Sequence, residues 1–244
     1  MNHLLRPYGL TTEQRHEPLG VGEPHPRLSW KLECDRRGAA QSAYRITAAD
    51  RIDDLDDPTR LLWDTGRRDG DGGLLLAWDG PVLRSGTRYH WRVQVWDEIG
   101  AAAGVDQSWF ETGLLHGEDW AAAWVGRDAL RQPPVDPPGP DGHGPAWPGW
   151  SPLYLRREFT LTRPPVRARL YATAHGVYEP RLNGARVGSD ELAPGWTEYH
   201  RRLQYQTYDV TGLLRVGDNV LAAIVADGWW SGYVGFDPRR PAHH

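Results

Sequence analysis

Between residues 27 and 112 the chain alternates apolar and polar side chains in short runs separated by turn residues. The clearest run is Tyr89-His90-Trp91-Arg92-Val93-Gln94-Val95-Trp96. In it Tyr89, Trp91, Val93 and Val95 share one face, while His90, Arg92 and Gln94 share the other. A period of two marks a half-buried strand. Ser85-Gly86-Thr87 before the run and Asp97-Glu98-Ile99-Gly100 after it are turn sequences. The stretches 27–32, 43–48, 74–78 and 108–112 supply further short strands. Strands at this spacing predict a sandwich of about 90–100 residues, with Tyr44, Ile46, Trp91, Val93 and Val95 inside.

A second β region follows the stretch 127–150, whose centre is dense in proline and glycine and reads as a linker. Leu153, Leu155, Phe159 and Leu161 alternate with polar neighbours, interrupted on the inner side by Arg157. Ala168, Leu170, Ala172 and Ala174 alternate in the same way, and 203–208 and 220–225 are two more strands. Asn183-Gly184, set between strand-like residues, is a strong hairpin signal. Residues 209–214 can make one helical turn capped by Asp209. The expected organisation is a sandwich over 1–118, a linker over 119–152 and a second β domain over 153–244.

Composition narrows the classes. The 244 residues include 28 Gly, 20 Pro and 13 Trp against 3 Phe, which suits an all-β protein with large aromatic cores or sugar-stacking surfaces. A net charge of −4 offers no basic face, so neither nucleic acid nor an anionic membrane is the expected partner. No apolar run reaches the ~20 residues of a membrane span. The first residues lack the grammar of a secretory signal, so the expected location is cytoplasmic. Cys34, the one cysteine, excludes an internal disulfide and a thiolate zinc cluster. There is no His-x-x-x-His pair, no Gly-x-Ser-x-Gly elbow and no phosphate-cradling glycine loop ahead of a helix. Asp69-Gly70-Asp71-Gly72-Gly73 lacks the full ligand set of a calcium loop and reads as a turn. Carboxylates are plentiful, but sequence gives no separation between any two of them, so no catalytic pair is assigned.

Ordered motifs then point to a family. Pro24-His25-Pro26-Arg27-Leu28-Ser29-Trp30 resembles a motif in the N-terminal region of bacterial α-L-rhamnosidases. The likeness continues through Leu62-Trp63-Asp64-Thr65-Gly66 and Ser85-Gly86-Thr87-Arg88-Tyr89-His90-Trp91. It resumes with Leu182-Asn183-Gly184-Ala185-Arg186-Val187-Gly188, Leu192-Ala193-Pro194-Gly195-Trp196 and Asp227-Gly228-Trp229-Trp230-Ser231-Gly232.

That resemblance implies a fibronectin-III-like sandwich followed by an incomplete jelly roll of galactose-binding type. In the family a helical (α/α)₆ toroid then carries the catalytic carboxylates of an inverting glycosidase. No counterpart of the toroid is present in these residues, so the expectation is a non-catalytic portion that acts on rhamnose-containing glycosides only within a longer enzyme. A stand-alone L-rhamnose-binding module and a non-functional gene remnant are the rival readings. Pro180 departs from the family pattern, because proline deletes a ladder donor.

The candidate sugar-contact residues are Asn183, Trp196, Trp229 and Trp230. Asn183 can serve a type I′ turn or offer its amide to a hydroxyl. The loop tryptophans, beside glycines, can stack on a pyranose or pack internally. No cofactor is expected. Asp190, Glu191 and Asp227 read as turn acids, with calcium as the alternative that the resemblance suggests.

Overall fold

The computed structural model describes residues 4–126 and 152–231. It divides the chain into two compact units, 1–122 and 123–244. The proline-rich stretch 127–150 lies outside the described residues.

The first unit is built from β1 (Arg6–Thr12), β2 (Arg27–Glu33), β3 (Gln41–Ala49), β4 (Trp63–Asp64), β5 (Arg68–Asp69), β6 (Leu76–Ala77), β7 (Arg88–Asp97) and β8 (Ala102–Glu111). One antiparallel sheet runs β1-β2-β6 and the other β4-β3-β7-β8, with β5 also paired to β3. The alternation in β7 is realised: Tyr89, Trp91, Val93 and Val95 are buried, together with Tyr44 and Ile46 of β3. Trp63, Trp78, Tyr89 and Phe110 form a continuous ring cluster, with Trp78 meeting Phe110 edge-on at 5.8 Å. The indole N–H groups of Trp30 and Trp78 are satisfied locally, whereas that of buried Trp91 has no hydrogen-bond partner among the described residues. Trp30 Nε1 donates to Gln41 Oε1 at 3.0 Å, and the Gln41 amide donates to the carbonyls of Gly70 and Gly72. The Asp69–Gly73 turn thereby caps a buried tryptophan.

The strand expected at 74–78 is corrected, and β1 lies outside the expected strands. Of the strand expected at 74–78, only Leu76–Ala77 pairs with β2. Leu75 adopts φ +54 and its N–H donates to Ser29 Oγ, so side-chain bonding replaces the ladder there. Strand β1 carries no clean alternation in sequence, because a bulge at Gly9 (φ +60) shifts its register against β2 between Tyr8 and Thr11.

The second unit comprises β9 (Leu153–Leu161), β10 (Arg169–Ala172), β11 (Val177–Leu182), β12 (Ala185–Arg186), β13 (Gln206–Asp209), β14 (Gly217–Ala226) and a helical turn, α1 (Gly228–Ser231). Its sheets are β12-β11-β14-β9 and the pair β10-β13. The chain is therefore all-β in both units, as the turn-punctuated pattern requires. Asn183 (φ +53) and Gly184 (φ +85) make the two-residue turn between β11 and β12, and Leu182 pairs with Ala185 across it. The expected helical turn is a short 3₁₀ segment at Thr211–Leu213, with Asp209 Oδ1 accepting from the Thr211 N–H.

Pro180 fits because of its register. Its carbonyl accepts from the Val187 N–H, so the side of the strand that carries its missing donor faces away from β14. The β11–β14 ladder therefore loses nothing.

Coverage of the larger sheet is uneven. Tyr178, Pro180 and Leu182 of β11 are buried, whereas their cross-strand partners Val225, Ala223 and Leu221 on β14 are only half-buried. Leu153 and Leu155 on β9 are half-buried too, and Arg157 in the same inner row is exposed. An exposed charge on an edge strand opposes strand-to-strand association.

Candidate functional site

Three of the four candidate residues, Trp196, Trp229 and Trp230, converge at one end of the second unit, where two glycines allow two segments to touch. β11 begins and β14 ends side by side, with Val177 opposite Ala226. Immediately outside that pair lie Gly176 (φ +117) and Gly228 (φ +51). A Cβ on Gly176 would stand 2.1 Å from the Ala226 carbonyl oxygen, and one on Gly228 would stand 2.8 Å from the Val177 nitrogen. Only glycine tolerates both the positive φ and the contact. The approach carries His175 against the turn that holds Trp229 and Trp230.

What forms there is a stack of three rings. His175 lies between Trp230, at 4.1 Å and 10°, and Trp124, at 4.5 Å and 15°. Buried Tyr199 closes the inner end, edge-on to Trp230 at 5.5 Å and 85°. Burial and the neighbouring His200 hold the His175 imidazole below its ordinary pKa. Trp229 points elsewhere, since successive residues on a helical turn diverge by about 100°. Its indole lies parallel to that of Trp196, at 6.5 Å and 6°. This offset stacking leaves Trp196 62% exposed.

The loop that presents Trp196 is tied down on both sides. Ala193 O accepts from the Tyr178 N–H, Pro194 O from Gln206 Nε2, and Thr197 Oγ1 donates to Arg202 O. The Tyr178 hydroxyl donates within the same region, and burial pushes its pKa well up. Tyr208 is likewise pushed up to about 12 by burial.

Asn183 stands apart from this cluster in its bonding. Its Nδ2 donates to Leu213 O and Asn219 Oδ1, and its Oδ1 accepts from the Val220 N–H, each within 2.9 Å. Asn219 is itself fully buried and bonds Arg215 and Gly217. The Asn183 amide is thus consumed in joining the hairpin turn to β14. Of the turn acids, Glu191 pairs with Arg186 at 2.9 Å, and Asp190 gives its carbonyl to the same guanidinium. The Asp227 carbonyl accepts from the N–H groups of Trp230 and Ser231. Among the described residues, no three His, Cys, Asp or Glu side chains gather in a way that could hold a metal ion.

Several carboxylates are held below their ordinary range. Hydrogen bonds from Arg27, Arg45 and Arg36 lower Glu13, Asp64 and Glu98, the last to about 2. Hydrogen bonds from Thr59 and Ser85 do the same for Asp57 and Asp119.

Neither Trp124 nor His175 carries a local sequence signal. Their pairing arises from contacts far apart along the chain, and only the glycine at 176 hints that His175 borders a close approach.

The fold defines a tandem of two β-sandwich domains, and comparison with known proteins gives that class its family. Residues 7–116 match the model of the Rha78A-like N-terminal immunoglobulin domain, and residues 163–244 match that of the alpha-L-rhamnosidase N-terminal domain. An alpha-L-rhamnosidase of Alteromonas sp. (strain LOR) is 36% identical over 89% of this chain, and one of Streptomyces avermitilis is 30% identical over 97% of it. A crystal structure of a Streptomyces avermitilis alpha-L-rhamnosidase complexed with L-rhamnose superposes with a TM-score of 0.86 at 28% identity, over 98% of this chain and 38% of that one. On both domains and their order, the chain belongs to the α-L-rhamnosidase family, whose N-terminal region it matches. It spans 38% of the length of the Streptomyces relative and 23% of the Alteromonas one.

Proposed function

We propose that the chain works as the non-catalytic N-terminal portion of an α-L-rhamnosidase-type glycoside hydrolase, with rhamnose-containing glycosides as its ligands. The observation that carries this reading is the order of the two matched domains, together with the 38% and 23% of the relatives' lengths that they occupy. The electrostatics support it. An inverting glycosidase needs one carboxylic acid that stays protonated and a second carboxylate about 6.5–9.5 Å away. The carboxylates whose titration is displaced are displaced downward, by arginines and hydroxyls. Charge-paired groups of this kind make poor general acids.

Within that role, Trp196 is the sugar-facing residue of the three candidate tryptophans, with Trp229 and Trp230 as the rings that back the stacking faces. Trp196 offers an open indole face held in place by Trp229. A free-standing rhamnose-binding module is the second reading, and the same exposed indole favours it. Coding sequence for a helical toroid downstream supports the first reading, and its absence supports the second.

The test is steady-state release of the aryl alcohol from an aryl α-L-rhamnoside by the purified 244-residue protein, with Asp227→Asn as control. No release above buffer is expected. Turnover that disappears in a carboxylate variant overturns the proposal.

A further inference from the structure

Trp124 belongs to neither matched domain span, yet it is the outermost ring of the stack on the second unit. It is 64% exposed while its inner face rests on His175. An indole left in water is ordinary when it is isolated. This one is backed by two further rings, ending against buried Tyr199. Backing of this kind removes rotamer freedom before any ligand arrives, which lowers the entropic cost of binding.

The rim of the stack is polar. Neither ring nitrogen of His175 has a hydrogen-bond partner among the described residues, and the two flanking indoles fix the plane in which those nitrogens point. A flat apolar face beside an unpaired donor and acceptor has the composition of a pyranoside subsite. The C–H face of the sugar lies on the indole, and a hydroxyl reaches the imidazole directly or through one water.

We propose that Trp124, seated on His175 and Trp230, is a pyranoside-binding residue that forms a second stacking station beside Trp196. The proposal rests on the sugar-facing reading of this end of the second unit, and it adds both a residue and a hydrogen-bonding group to that reading. The Trp229–Trp230 dipeptide links the two stations, one indole backing each.

The experiment follows indole N–H signals by NMR while methyl α-L-rhamnopyranoside is titrated into the full 244-residue protein and into Trp124→Ala, Trp124→Phe, His175→Ala and Trp196→Ala. The expected result is saturable binding that weakens at least fivefold in Trp124→Ala and His175→Ala and is largely retained in Trp124→Phe. The Trp196→Ala variant should weaken binding independently. Unchanged affinity in Trp124→Ala, with Trp196→Ala impaired, overturns this proposal and leaves the broader sugar-facing reading standing. No binding by the intact chain overturns both. Thermal unfolding of each variant separates lost contact from lost fold, and Trp124→Phe supplies the readout if Trp124→Ala unfolds.

Discussion

Gly176 and Gly228 approach so closely that a Cβ on Gly228 would lie 2.9 Å from the carbonyl carbon of Gly176. Both have positive φ, so a side chain at either position is strained by its own backbone as well as by its neighbour. The ring stack at this end of the second unit depends on that contact, because it brings His175 to Trp230.

Gly176→Ala therefore removes about 3 kcal/mol from the second unit, within the range for a side chain forced into a disallowed conformation. Denaturant unfolding measures the loss. The upfield ring-current shift of the His175 protons between two indoles should disappear with it. A variant that keeps the shift and the stability shows that the two segments can separate without cost.

Trp91→Ala should cost roughly 3–5 kcal/mol, the usual loss for a large aromatic in a closed core. Trp91 is fully buried on the inner face of β7, among the rings of the first unit. The check is the urea midpoint of the first unit at constant m-value. A loss under about 1 kcal/mol contradicts the assignment of strand faces.

Asn183→Ala tests the turn. It removes three hydrogen bonds that join the hairpin to Leu213, Asn219 and Val220, and it places alanine at φ +53. A loss of about 2–4 kcal/mol is expected, from an unpaired buried amide plus backbone strain. Sugar affinity of the folded fraction should stay unchanged. Reduced affinity at unchanged stability would return Asn183 to the ligand-contact set.

Two titrations follow from the electrostatics. Glu98 is bonded by the Arg36 guanidinium and by the Ala40 N–H, and titrates near 2. A carboxylate depressed in the folded state contributes stability that is complete above its unfolded pKa, near 4.5. That contribution fades as pH falls toward 2. Carbon-detected NMR should place the midpoint there, and Arg36→Ala should raise it. His175 is also depressed, by burial and by His200, so its stack is complete above the ordinary histidine value of 6.5 and weakens as pH falls below it. Removing the Trp124 ring should raise the His175 midpoint.

Strand content was legible wherever alternation was clean. In β7 the apolar face identified by periodicity is the buried one, and the Asn-Gly pair at 183–184 marks the β11–β12 hairpin with both residues at positive φ. Period and turn chemistry are local properties, carried by neighbours in the chain. The ordered motifs likewise located both matched domains, because a family likeness is written along the sequence.

Other features required the tertiary structure. Strand β1 was hidden by its bulge, and Leu74–Leu75 left the sheet for a bond to Ser29, a residue about 45 positions away. Asn183 looked equally suited to a turn and to a ligand until Leu213, Asn219 and Val220 occupied its amide. Trp229 and Trp230 were visible as a loop pair, but sequence could not say that one backs Trp196 and the other His175. Trp124 gave no sign at all. Ring stacking and amide satisfaction depend on which distant segments meet, and that is decided by sheet pairing and by two glycines that let backbones touch.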